Sequence, residues 1–214
     1  MPCNVCEVDP DRYGIIARMN PDGSAASRSS ARGLRNTVGF DWDPRTKELW
    51  FTDNGRDMLG DDVPPGHAQP RAARADCASA FPIVTAGRSR TRSSDASIAC
   101  CGVQPHPRRS LGPHVAALGM RFYTGDQFPA AYRNRVFIAE HGSWNRSAKI
   151  GYRVTMVTLE GNKAVRVRAL RRRLAAGRER MGATRRTCWS LPDGSLLVSD
   201  DTAGAIYRIR YKGP

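Results

Sequence analysis

The chain has 214 residues, of which 40% are hydrophobic, enough for one domain with a real core. Its formal charge is +14, yet segments 66–110 and 163–190 hold 17 of the 34 Lys and Arg and only 3 of the 20 acidic residues, so the remainder is balanced. An excess confined in this way argues against a nucleic-acid binder, since 163–190 offers only Trp189 as a stacking aromatic; no stretch approaches the roughly 18 apolar residues of a membrane span, and Met1-Pro2-Cys3-Asn4 opens no basic-then-apolar export leader.

Cys3 and Cys6 form a C-x-x-C, but the second pair or close histidines of a zinc site do not follow, so a local structural or disulfide role is the simpler reading. Tyr13 to Met19 reads as a strand closed by the turn Asn20-Pro21-Asp22-Gly23. Val38 to Trp42 and Leu49 to Thr52 are short strands joined by a hairpin loop, Asp43-Pro44-Arg45-Thr46-Lys47. Segment 66–110 is rich in Arg, Ala, Ser and Pro without a sustained period, and is far longer than a compact domain's loops.

Strand-like runs resume at His114 to Thr124, Val136 to His141 and Tyr152 to Leu159. Segment 163–190, with Arg171-Arg172-Arg173, reads weakly as helix. Leu191-Pro192-Asp193-Gly194-Ser195 repeats the chemistry of the first turn, and Leu196 to Asp200 and Ala205 to Tyr211 complete the pattern. Short strands at this spacing with a recurring turn predict an all-β chain built of repeated blades, a partial β-propeller. Regular strands are expected within 13–65, 114–159 and 191–211, with irregular or helical chain between them. Open sheet edges in such a fragment predict poor solubility.

Several motifs then take on a family character: Pro2-Cys3-Asn4-Val5-Cys6; Ala31-Arg32-Gly33-Leu34-Arg35-Asn36 running into Val38-Gly39-Phe40-Asp41-Trp42; Leu49 to Asp57; Leu111-Gly112-Pro113-His114-Val115 to Gly125; Phe137 to Arg146; and Pro192 to Arg208. In this order, over about two thirds of the chain, they resemble the soluble glucose/sorbosone dehydrogenases that use pyrroloquinoline quinone (PQQ). The resemblance implies a six-bladed propeller with PQQ and calcium at the channel mouth, oxidation of aldoses or sugar aldehydes, an external electron acceptor, and periplasmic or secreted residence. It starts in mid-pattern at residue 2, so the chain is expected to be a fragment holding the later blades.

Segments 66–110 and 163–190 depart from the family and are expected to be read out of frame. Met181-Gly182-Ala183-Thr184-Arg185, shifted by one nucleotide, can give the family's Trp-Gly-Arg-Pro-Val, and its Trp is forced because ATG followed by GGN contains TGG. Shifted GC-rich frames also yield Arg and Ala, which accounts for the charge.

The resemblance implies roles for individual residues. Arg35-Asn36 matches an Arg-Asn pair that contacts PQQ, a fork donor and an amide suited to carboxylate or quinone oxygens, although Val38 stands where the family often has Gln. Asn54 joins the cofactor contacts, and the main-chain carbonyls of Gly55 and Arg56 match the calcium position, with Asp53, Asp57, Asp61 and Asp62 around them. His141, Trp144 and Arg146 occupy a polar, aromatic loop where Trp144 stacks on a flat cofactor and Arg146 or Lys149 meets a carboxylate. The blander readings are a surface Arg with a turn Asn, a solvated acidic loop and a structural histidine. The family's catalytic histidine falls upstream of Met1 and its late arginine motif is replaced, so turnover is expected to be very slow or absent. The alternatives are a carbohydrate- or calcium-binding propeller fragment without turnover and, behind it, a basic nucleic-acid binder; oligomeric state is open.

Overall fold

Runs in which β-branched and aromatic residues alternate with small or polar ones set short extended segments, because successive side chains leave a strand on opposite faces. The computed structural model describes residues 12–24, 28–32, 36–54, 60–62, 65–70, 109–161, 163–170 and 185–213. Its strands are β1 (Ile15–Arg18), β2 (Arg28–Arg32), β3 (Thr37–Trp42), β4 (Leu49–Asp53), β5 (Pro65–Pro70), β6 (Arg109–Pro113), β7 (Ala117–Phe122), β8 (Val136–Glu140), β9 (Arg153–Glu160), β10 (Lys163–Ala169), β11 (Arg185–Ser190), β12 (Leu196–Asp200) and β13 (Ala205–Ile209). The only helix among the described residues is a single 3-10 turn, Ala130–Tyr132. The all-β expectation therefore holds.

Strands pair in sequence order and always antiparallel: a β1–β2 hairpin, then the sheets β3–β6, β7–β10 and β11–β13. Such meanders are propeller blades. Their first strands sit side by side, β3 against β7 and β7 against β11. Gly39 of β3 makes the first approach possible, since a Cβ there would come within 2.7 Å of the Met120 backbone nitrogen. Asp41 accepts from the Phe122 N–H at 2.8 Å and from Arg121 at 3.2 Å, while the Arg121 guanidinium lies 3.8 Å from the Trp189 ring centre. One side chain thereby ties three inner strands together.

Cores form where sheets face each other. On β8 every residue is buried: Val136 and Ile138 join Trp50, Leu111, Met120, Phe122 and Val157 between the first two four-stranded sheets, and Phe137 joins Tyr123, Phe128, Cys188, Leu196 and Val198 against the β11–β13 sheet. The middle sheet is covered on both faces. Neither neighbour is, for Val38, Phe40 and Trp42 on β3 and Ile206 on β13 are exposed.

The two Asp-Gly turns are alike in detail. Asn20 O accepts from Gly23 N at 3.0 Å and Leu191 O from Gly194 N at 2.9 Å, and both glycines take the left-handed φ, +74° and +77°, that a side chain resists. In each, the Asp carboxylate accepts from the backbone N–H and hydroxyl of the serine two residues on. The 43–47 hairpin loop also forms as expected, closed by Asp43 N to Glu48 O at 2.9 Å and Lys47 N to Asp43 O at 2.8 Å. Burial pushes the Asp43 carboxyl up, but bonds from Arg45 outweigh it and hold the group below the usual carboxylate range.

Two expectations need correction. Residues 163–169 and 185–190 are strands, not helical or irregular chain: Ala164 is buried, a register shift follows it, and beyond that shift Val167 packs on the first core while Arg166 and Arg168 are exposed. The strand expected from His114 begins only at Ala117, because His114 and Ala116 take left-handed φ values of +55° and +50° that turn the chain from β6 into β7. Strand also stands at both ends of segment 66–110; its residues 71–108 lie outside the described residues, as do 171–184.

Candidate functional site

Because β3, β7 and β11 run parallel, one end of the array gathers the starts of these strands and the ends of β4, β8 and β12. Most of the residues singled out by sequence stand there. Asn36 precedes β3 and Asn54 follows β4; the Asn36 carbonyl accepts from Asn54 N at 3.0 Å, and Asn54 Nδ2 donates to Ala117 O at 2.9 Å. The Asp53 carboxylate holds the Asn36 N–H and the Thr37 hydroxyl, each at 3.0 Å. Asn54 thus serves to join two blades at this end. Arg35, Gly55 and Arg56 lie outside the described residues.

The β8–β9 loop supplies the rest. Ser143 N donates to Ile150 O at 2.9 Å, Ile150 N donates back to Ser143 Oγ at 3.0 Å, and the Tyr152 hydroxyl donates to Ser143 O at 2.5 Å, so residues 144–149 are presented on a closed stem. At its tip Trp144 is 68% exposed, its carbonyl reached by Lys149 Nζ at 3.4 Å. The exposed indole face suits stacking on a flat group.

Arg146 behaves differently from the expectation of a free carboxylate donor. Its Nε donates to Asp61 O at 3.0 Å, its Nη1 to Ala148 O and its Nη2 to Asp62 at 3.2 Å. The Asp61 carboxylate accepts from Ser147 N at 3.0 Å and from the Ser147 hydroxyl, and that pair, with Arg146 behind it, holds its pKa below the usual carboxylate range. His114 adds a 2.6 Å contact to Gly60 O. Residues 60–62, which follow Gly55 and Arg56 in sequence, are therefore pinned by residues of two other loops, and Asp61 serves a structural clasp. Among the described residues no group of three His, Cys, Asp or Glu is arranged to hold a metal.

His141 has a partner that sequence reading missed. Its Nε2 lies 3.2 Å from Asp201 Oδ2, across the junction with the β11–β13 sheet, and its backbone N–H donates to Ala116 O at 2.9 Å. Sixty residues separate the pair; the only sequence cue is that Asp201 opens the turn after β12, at the same end of its blade. Glu140, just before it, is fully buried and bonded by Arg153 Nε at 2.8 Å and Thr155 Oγ1 at 2.5 Å. Burial raises its pKa despite Arg153.

The donor set fits the expected cofactor only in part. An exposed indole at Trp144 and an ammonium at Lys149 suit a flat polyanion, whereas the guanidinium of Arg146 is already engaged.

A family described as TrAA12-like matches residues 68–212. A Borreliella burgdorferi protein described as uncharacterized is 36% identical over 96% of this chain and 54% of its own length. Among solved structures, the PQQ domain of a Coprinopsis cinerea pyranose dehydrogenase in holo form is 21% identical, covering 88% of this chain and 57% of that one, with TM-score 0.57. A calcium structure of a Trichoderma reesei carbohydrate-active enzyme of family AA12 is 18% identical over 85% and 53%, TM-score 0.57. The apo soluble aldose sugar dehydrogenase of Escherichia coli is 21% identical over 90% and 53%, TM-score 0.57. These likenesses establish the propeller fold, and the chain spans about half the length of the proteins it matches.

Proposed function

We propose, from the premise that this chain belongs to the TrAA12-like family, that it is the later-blade portion of a sugar-oxidising quinoprotein. The substrate is an aldose or sugar aldehyde, PQQ with calcium supplies the two-electron acceptor when bound, and an external acceptor takes the electrons onward. The observation that carries this reading is the assembly of Asn36, Asn54, His141 and the exposed Trp144 at one end of the blade array. In this reading Trp144 stacks on the cofactor ring, Asn36 with Arg35 meets its polar oxygens, and the carbonyls of Gly55 and Arg56 face calcium. Asn54 and Arg146 act at one remove, holding the loops that carry those groups. The sorbosone-type preference and residence outside the cytoplasm belong to the same proposal; among the described residues no helix is long and apolar enough to cross a membrane.

A second reading, binding without turnover, is favoured by one observation: three of the five N–H groups of Arg146 already donate to Asp61 O, Ala148 O and Asp62, which leaves fewer to orient a carboxylate of the cofactor. Titration with PQQ and calcium separates the two. Quenching of tryptophan emission that Trp144→Phe removes is expected under both, and dye reduction on adding glucose is expected only under the first. No PQQ-dependent change at any calcium concentration would overturn both.

A further inference from the structure

His141 leaves the end of β8 already fixed along its backbone. Its N–H donates to Ala116 O and the Gly142 N–H to Val115 O, both at 2.9 Å, so the chain is stitched to the turn between β6 and β7. Gly142 takes a left-handed φ of +106°, and a Cβ there would stand 2.4 Å from the Tyr152 ring. The imidazole is held at its far end by the next sheet, with Nε2 3.2 Å from Asp201 Oδ2. Asp201 is itself placed by a built turn: Asp200 pairs with Ala205 at the end of the β12–β13 hairpin, and the buried Asp200 carboxylate accepts from Ala203 N at 3.0 Å. The His141 and Asp201 side chains are 31% and 33% exposed, and His141 Nδ1 makes no hydrogen bond among the described residues.

A carboxylate accepts and cannot donate, so the proton shared by the pair belongs to Nε2 of the histidine. A neutral imidazole carries a single ring proton. With that proton committed to Asp201, Nδ1 is left with a lone pair. Such an edge accepts from hydroxyls and repels carboxylate and quinone oxygens, which have no hydrogen to give. Under the function proposed above, on which this step rests, the polar rim of the cofactor is chiefly oxygen and the sugar is the partner rich in hydroxyls. We infer that His141 serves the substrate: Nδ1 accepts from a hydroxyl of the aldose, and Asp201 is the positioning residue that fixes the ring and its tautomer for that contact. His141 thereby moves from the cofactor contacts implied by the resemblance to the sugar. Asp201 acts through the histidine as the carboxylate behind a metal-bound or catalytic imidazole does, setting which nitrogen carries the proton.

Ring-nitrogen NMR of the isotopically labelled full chain, on the alkaline side of the ordinary imidazole range, tests this with glucose as the probe. The His141 signals are identified by their loss in His141→Gln. In the parent chain a proton on Nε2 is expected to exchange slowly enough to be seen, Nδ1 is expected to be bare, and glucose is expected to shift the Nδ1 signal. Asp201→Ala is expected to lose the Nε2 proton signal to exchange and to weaken glucose binding, read from the concentration dependence of the shift, by about tenfold. Asp201→Glu, which keeps a carboxylate, is expected to recover part of both. A proton on Nδ1 in the parent overturns the inference, as does an Nδ1 signal that PQQ moves and glucose does not, or an Asp201→Ala chain with the parent's affinity for glucose. Quenching of tryptophan emission by PQQ, read on the same samples, separates this from the function it rests on. Quenching without a glucose response at His141 removes the sugar contact and leaves the quinoprotein standing; a glucose response without quenching does the reverse. Circular dichroism checks the folding of the variants, and the parent chain's signals are decisive without them.

Discussion

The β7–β10 sheet and the β3–β6 sheet are built from the same kind of sequence and end in different circumstances. Val136-Phe137-Ile138-Ala139-Glu140 is buried residue by residue, because a sheet lies on each side. Thr37 to Trp42 buries only Gly39 and leaves Val38, Phe40 and Trp42 in water. Apolar alternation records that a strand has a face to cover; whether the cover is present depends on which other sheets the chain provides. Stability therefore concentrates in the middle sheet, and the outer faces hold surface not yet used.

Truncating the middle should hurt most. Phe137→Ala removes a ring stacked with Tyr132 and edge-on to Tyr123, and the expected cost is about 3–5 kcal/mol in urea unfolding; Phe40→Ala on the open face is expected to cost under about 0.5 kcal/mol in the same measurement. If the two costs come out equal, the contrast fails. Tyr123→Phe comes next. The buried hydroxyl donates to Gly194 O at 2.6 Å and accepts from Phe128 N at 3.0 Å, and leaving both groups unpaired is expected to cost about 1–3 kcal/mol.

The two shifted carboxyls sharpen the comparison through pH. Glu140 is raised by burial, so the folded state holds its proton more tightly than the unfolded chain does. Its contribution to stability falls as pH climbs from the ordinary 4.5 toward the raised folded value. The unfolding free energy of the parent relative to Glu140→Gln should therefore drop by up to about 1.4 kcal/mol per pH unit across that window. A flat difference would mean the carboxyl is not desolvated. Asp193 has the opposite sign: the Ser195 hydroxyl and N–H, with Arg208 beyond them, hold it at about 2, so its contribution is present above the unfolded 3.8 and is lost as pH falls from there to about 2. The smallest effect is expected from Asp193→Asn, a slight loss in melting temperature at pH 7 that vanishes at pH 2.

Local chemistry was legible wherever it was self-contained. The Asn20 and Leu191 turns close through their own Asp, Gly and Ser, and Leu196 to Asp200 alternates plainly; each is seen as read. In Lys163–Ala169 the arginines mask the alternation of Val165 and Val167 with Arg166 and Arg168, which the strand follows. Of the site, the loop bearing His141 and Trp144 could be read from its composition. Its internal wiring could not. Asp201 comes from another sheet, and Arg146 is claimed by Asp61 and Asp62 from 85 and 84 residues away, distances over which no periodicity carries information.

Gly39 sets something larger than its own contact. Sheets that touch at their inner strands and spread toward their outer ones form wedges, and the opening angle of a wedge depends on how thin it is at the hub. With no side chain between β3 and β7, the backbone of Met120 sits where a methyl group would otherwise stand. A single carbon there acts as a shim at the axle: it would swing the β3–β6 sheet outward about the hub, part the Asn54 amide from Ala117 at the rim of the mouth, and change how many such wedges complete a circle.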